Sequence, residues 1–291
     1  MNNFILSCCT TTDVTEEFLS SRKINYAPFH YFLNDVEYID DFGKTISILD
    51  FYKRMAEGEI ARTSQINVQE FYNYFKAFLK EGKDILHVTL SSGLSGTYNS
   101  ACIARDMLLE KYPERKIFIV DSLGASSGYG LYVGMIADKK NAGSSIEETF
   151  EYAEKIKSHI KHWFFTTDLK YFVRGGRISK AAGFVGNLIR LCPLLAVDEA
   201  GKLVVREKII SKKKVIKAIV DKMILEAENG TEYDKDCYIS HSACIEDAEE
   251  VKKLIEFNFP KLKDKIKIFD IGTTIGAHTG PGTVALFFFG K

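Results

Sequence analysis

The stretch richest in chemistry is Leu90 to Ala101, LSSGLSGTYNSA, where Ser92, Ser95 and Thr97 are interleaved with Gly93 and Gly96. Free backbone N–H groups at a helix N-terminus, flanked by hydroxyls, make an anion site, and glycines admit the close approach it requires. The same residues equally suit a plain capped turn. A second hydroxyl-rich run, Ala61, Arg62, Thr63, Ser64 and Gln65, reads as a short polar loop between two helices. Arg177 in the RGGR turn and His278 in the glycine-rich Gly272 to Gly282 add a guanidinium and an imidazole. Two chemistries suit these types. Hydroxyls, amides and a guanidinium can hold an oxyanion without a metal. Alternatively, Ser95 as nucleophile with His278 as base would make a lipid or ester hydrolase. Against the hydrolase, Ser95 does not lie in GxSxG and no acid is evident to orient the histidine. Kinase chemistry within this chain is not expected, because there is no GxxxxGK[ST] and no cluster of acids spaced for magnesium.

Positioning these groups requires strand ends and helix starts, and the hydropathy pattern supplies them. Phe4 to Ser7, Ile85 to Leu90 and Lys116 to Asp121 are short apolar runs, each followed by a polar loop. The first loop is Cys9 to Asp13, the second is the serine-rich stretch, and the third is the turn at Gly124 to Gly130. Helices are expected at Thr15 to Arg22, Ile48 to Ala56, Val68 to Leu79, Tyr98 to Leu109, Leu131 to Ala137 and Phe150 to Ile160. Tyr26 to Leu33 and Val36 to Asp40 read as extended segments joined by a tight turn at Asn34 and Asp35. Strand, turn and helix in alternation predict βαβ units and a largely parallel sheet, whose ligands collect at the carboxyl ends of the strands.

A second unit is expected from His162. It reads as a strand at Trp163 to Thr167, a helix at Ala181 to Leu191, and a hairpin of Pro193 to Val197 with Lys202 to Ile210. An amphipathic helix at Lys212 to Glu228 and a further alternating set follow, ending in a strand at Thr283 to Phe289. The expected architecture is therefore α/β with two domains. These are an N-terminal, largely parallel sheet with flanking helices over residues 1–161, and a C-terminal α/β domain over residues 162–291.

The 291 residues balance 39 basic against 39 acidic side chains, which argues against nucleic acid as a partner. Six cysteines without CxxC spacing suit a reducing compartment rather than a disulfide or zinc scaffold. No stretch has the roughly 18 apolar residues of a membrane span, and the N-terminus lacks a signal-peptide pattern, so a cytoplasmic protein is expected. Lys202, Arg206, Lys208, Lys212, Lys213, Lys214, Lys217 and Lys222 are offset in their segment only by Glu207 and Asp221. Such a basic patch suits either a solvated helix face or transient contact with an anionic membrane or an acidic partner.

Several motifs in one order resemble the DegV family of bacterial fatty-acid-binding proteins over the whole chain. They are Thr10 to Asp13, Thr63 to Gln65, Ser91 to Ala101, Asp121 to Gly130, Leu169 to Ser179 (LKYFVRGGRIS) and Ile275 to Gly282 (IGAHTGPG). The resemblance implies a two-domain carrier that buries one long-chain fatty acid, with the lipid site at and below the domain junction. It further implies presentation of the carboxylate to a separate fatty acid kinase, no catalysis by the carrier itself, and no cofactor beyond the bound lipid. It maps carboxylate binding onto Thr63, Ser64, Ser95 and Gly96, with Arg177 and His278 beside them. The acyl tunnel is expected among Phe164, Phe165, Phe172, Ile178, Phe184, Leu188 and Leu194. Cys9, Ile66 and Cys192 depart from the family pattern, where aspartate, proline and lysine respectively are common.

Overall fold

The computed structural model describes residues 4–179 and 191–291. Phe184 and Leu188, and nearly all of the helix expected at Ala181 to Leu191, lie outside the described residues.

The chain begins with β1 (Phe4–Cys9), α1 (Glu16–Ser21), and β2 (Ile24–Ala27). A small antiparallel excursion follows, made of β3 (His30–Leu33), β4 (Val36–Ile39), α2 (Ile48–Ala56), and β5 (Ala61–Ser64), with sheet order β4-β3-β5. Asn34 and Asp35 both adopt positive φ, the conformation that a two-residue hairpin turn requires. Next come α3 (Val68–Lys80), β6 (Asp84–Thr89), α4 (Thr97–Leu109), and β7 (Ile117–Asp121). Strands β2-β1-β6-β7 form the parallel sheet that the alternation implied, with every pair parallel. The helices opening this unit are capped as their sequences suggest: the Thr15 hydroxyl accepts from the Phe18 amide, and Asn67 with Glu70 forms a reciprocal capping box.

Helix α5 (Ser126–Asn141) and α6 (Ile146–Ile156) lead into the second sheet, which begins with β8 (Ile160–Thr166). After α7 (Lys170–Arg174) come β9 (Leu191–Val197), β10 (Leu203–Ile210), α8 (Lys212–Glu226), and β11 (Cys237–His241). The chain finishes with α9 (Ile245–Asn258), β12 (Lys267–Asp270), α10 (Thr273–Thr279), and β13 (Thr283–Phe289). The strand order is β10-β9-β8-β13-β11-β12, and only the β11–β12 pair is parallel. Alternation in this half therefore does not produce a parallel sheet, because the β9–β10 hairpin and the returning β13 interpose antiparallel pairs.

Three local expectations change. The run Ala61–Ser64 is an edge strand rather than a loop: it pairs with β3, which places Thr63 opposite Tyr31. The turn expected at Gly124 to Gly130 is already helix from Ser126. Strand β8 starts at Ile160, ahead of the Trp163 expected from hydropathy.

Helix α5 explains the second change. Glycine disfavours a helix interior by roughly 1 kcal/mol, so Gly128, Gly130 and Gly134 mask it in the sequence. Packing overrides propensity, because the helix is wedged between neighbours on several sides. A Cβ at Gly128 would lie 2.5 Å from His162 Nε2 and 2.4 Å from the Phe287 ring, and one at Gly130 would lie 2.5 Å from Val14. Gly128→Val is accordingly expected to lower unfolding free energy by about 1–3 kcal/mol through overpacking. Propensity alone would give the opposite sign, so urea denaturation of this variant separates the two effects.

Candidate functional site

Between the carboxyl ends of the parallel strands and one face of the second sheet lies a cavity of about 500 Å³, within the range of small-ligand sites. Its polar corner is assembled from elements far apart in the chain. On β5, period-2 alternation turns Thr63 into the cavity together with Gln65, which follows the strand, whereas Ser64 is not among the lining residues. The Thr63 hydroxyl Oγ1 is 2.8 Å from His278 Nε2, in the last turn of α10.

Helix α10 is held from its other end. Asp40 is buried and accepts from the hydroxyls of Thr273 at 3.0 Å, Thr274 at 2.7 Å and Thr10 at 3.3 Å. The Tyr52 hydroxyl donates to the Ile271 carbonyl at 2.8 Å. Buried Asp13 accepts from Ser126 Oγ at 2.5 Å. Burial raises the pKa of both aspartates, opposed by these hydrogen bonds.

His278 is neutral. Burial first, then the nearby guanidinium groups of Arg177 and Arg174, bring its pKa down to about 3. Its Nδ1 is buried without a partner among the described residues and packs against Gly175, where a Cβ would sit 2.3 Å away. With the proton on Nε2, the ring donates to Thr63 Oγ1. That tautomer leaves the Thr63 hydroxyl proton available to a ligand oxygen. Arg177 follows the sharp turn at Gly175 and Gly176, the latter with φ +73°. Its Nη1 donates to the Gly175 carbonyl at 2.6 Å and its Nε to the Leu94 carbonyl at 3.2 Å, so it braces the serine-rich loop while lining the cavity. Burial lowers its pKa from the ordinary value, which leaves it charged.

The serine-rich loop differs from an open nest. Its amides are largely committed: Ser92 N–H donates to Asp121 Oδ1, Gly93 N–H to Ser91 Oγ, and the Leu94 and Ser95 N–H groups to the Ser91 carbonyl. Neither glycine serves a left-handed conformation. Gly93 admits the β9–β10 hairpin tip, since a Cβ there would lie 2.6 Å from the Ala200 carbonyl oxygen, and Gly96 admits Gln65, whose Oε1 would be 2.3 Å away. Ser91 Oγ clips the same tip by donating to the Gly201 carbonyl at 2.8 Å. Ser95 Oγ remains on the cavity wall, 2.9 Å from Thr97 Oγ1.

The apolar wall comes mainly from the second sheet. Phe164 and Phe172 stack with centroids 5.7 Å apart, and Phe287 and Ala285 lie on the same face. Phe165 and Leu194 pair in register on the opposite face and do not line the cavity, because successive strand residues alternate sides. Ile178 is buried but is likewise not a lining residue. Gln65, His162, Ser126 and Phe287 also line the cavity, although none is among the site residues expected from the sequence. Of these, Phe287 was accessible by reading alternation along Thr283 to Phe289. Among the described residues the lining contains Arg177 and no acidic side chain.

Ser95 and His278 line one cavity, but their recorded partners are Thr97 and Thr63, not each other. A histidine held to a pKa of about 3 beside two arginines is also a poor base, so the geometry does not favour the hydrolase. The basic patch is smaller than its sequence count, since Lys212, Lys217 and Lys222 pair with Asp247, Asp221 and Glu207. Among the described residues no helix is long and apolar enough to cross a membrane.

Comparison with known proteins adds a consistent result. The family described as "Uncharacterised protein, DegV family" matches residues 10–291. A DegV domain-containing protein of Clostridium perfringens is 38% identical over 290 residues, covering 100% of this chain and 98% of its own. A crystal structure of a fatty acid binding DegV family protein from Streptococcus agalactiae is 26% identical with a TM-score of 0.84, covering 100% of both chains. The Streptococcus pneumoniae Fatty Acid Kinase B3 protein loaded with linoleic acid shares the fold at 22% identity, with a TM-score of 0.83 and 99% of each chain covered.

Proposed function

This chain belongs to the DegV family, and from that premise we propose that it binds one long-chain fatty acid, buries the acyl chain and presents the carboxylate to a separate fatty acid kinase. The observation that carries this reading is the composition of the cavity: an aromatic wall joined to a corner of hydroxyls, a neutral imidazole and one guanidinium, with no acidic side chain among the described lining residues. An ionised carboxylate leaving water needs donors or an opposite charge, and this corner offers Thr63, Ser95 and Arg177. Burial of about 14 methylenes at roughly 0.8 kcal/mol each contributes on the order of 11 kcal/mol gross, before the costs of association. The chain is then a carrier that transfers no phosphoryl group; the kinase supplies that chemistry and this chain supplies the positioned acid.

Native mass spectrometry of purified protein tests the lipid step. A mass increment matching one fatty acid is expected, lost on delipidation and restored by added fatty acid. Protein that is always apo and takes up none ends the reading. The kinase step has its own assay: acyl phosphate should form only when kinase and carrier are both present.

A further inference from the structure

We propose that His162 is a partition between two chambers and thereby sets the acyl chain length this protein accepts. The inference rests on the fatty-acid reading of the main cavity. A second cavity, of about 470 Å³, adjoins the first, and His162 and Val197 line both. Leu123, Ile160, Trp163, Ala196 and Val197 give the second chamber apolar surface, while its rim carries both signs of charge, from Lys157, Lys161 and Arg206 and from Asp198, Glu199 and Glu226. The two cavities are similar in volume, so the space beyond the ring is comparable to the space before it.

The partition is formed by His162, with Val197 beside it, and the imidazole is held by a hydrogen bond. His162 Nδ1 lies 3.0 Å from the Ile160 carbonyl, which can only accept, so Nδ1 carries the proton and Nε2 a lone pair. That Nε2 is buried with no donor among the described residues. It packs over Gly124 and Gly128, where a Cβ would lie 2.6 and 2.5 Å away, and the ring meets Phe287 edge-on at 5.3 Å. Burial holds the imidazole neutral, with its pKa down to about 4, so an aliphatic chain can lie against it at neutral pH without desolvating a charge. Two glycines thus make room for a ring that closes the main chamber, on the same strand face and two residues from Phe164 of the acyl wall. An acyl chain that fills the first chamber meets this ring next.

Competition binding with saturated fatty acids differing by two carbons tests the proposal. Each buried methylene is worth about fourfold in affinity, or roughly fifteenfold per two carbons, until the chain reaches the partition. Affinity for the wild-type protein should therefore rise with length and then break. His162→Ala should move the break upward by two or more carbons and raise affinity about tenfold for the first length beyond the wild-type break. His162→Phe, which keeps a ring in place, should retain the wild-type break. If His162→Ala does not fold, judged by thermal melting, Val197→Ala widens the same partition and should shift the break in the same direction. An unmoved break in a folded opening variant, or an equal shift in His162→Phe, overturns the partition. A wild-type protein that binds no member of the series overturns the fatty-acid reading itself, a separate and recognisable result.

Discussion

Thr63→Val is expected to weaken binding of a long-chain fatty acid by about 10- to 100-fold while leaving its methyl ester within about twofold of wild type. The substitution preserves shape and removes only the hydroxyl. A hydrogen bond to a charged group contributes about 1.5–3 kcal/mol, which converts to that range of affinity. Thr63 Oγ1 is also the partner of His278 Nε2, so the valine removes that hydrogen bond from the cavity edge as well. The ester has no anionic oxygen and does not draw on this network. Ser95→Ala should cost less, since Ser95 Oγ already shares a hydrogen bond with Thr97. Isothermal titration with acid and ester in parallel provides the measurement. Equal loss for both ligands would mean that Thr63 supports the cavity's shape rather than its anion.

Buried neutral histidine makes stability fall as pH falls, and His87 isolates the effect. His87 is fully buried, 2.6 Å from Ser7 Oγ through Nδ1, with the rings of Phe71 and Phe75 about it at 5.1 and 5.2 Å. Desolvation brings its pKa down to about 3. In the unfolded chain the same residue takes up a proton below about pH 6.5. Between those values the unfolded state binds more protons than the folded one, so stability falls as pH falls. The slope approaches about 1.4 kcal/mol per pH unit well below pH 6.5, which gives roughly 2 kcal/mol between pH 6.5 and 4.5. Asp13 and Asp40, whose raised pKa values act with the opposite sign, are common to wild type and variant and cancel in the difference. Urea denaturation of wild type and of the double variant Ser7→Ala, His87→Phe should show the variant losing about 2 kcal/mol less over that interval. Parallel pH profiles would show that His87 does not titrate on unfolding.

The parallel sheet was legible because β1, β6 and β7 are apolar runs ending in polar loops, a pattern that local hydropathy carries intact. Strand β5 was not, because Ala61–Ser64 is a short polar edge strand whose pairing with β3 has no signature in its own residues. The start of α5 was hidden for the converse reason: its glycines answer to His162, Phe287 and Val14, which lie elsewhere in the chain. Composition points Phe165 and Leu194 to the tunnel, whereas the alternation of β8 and β9 turns them away from the cavity. The polar corner was hardest. Thr63 and His278 are 215 residues apart, a separation that no local spacing rule spans, so residue type marks each as a candidate but not that they meet. The commitment of the loop amides to Asp121 and Ser91 likewise arises from folding and has no counterpart in the residue pattern.

The clip between Ser91 and the hairpin tip ties the two sheets together beside the polar corner. The loop that carries Ser95 belongs to the first sheet's side of the molecule, and Ala200 and Gly201 belong to the second, yet they meet with no room for a single methyl group at Gly93. Parting the two surfaces costs that hydrogen bond and its packing together, so the place of Ser95 on the cavity wall depends on a contact made from the second sheet.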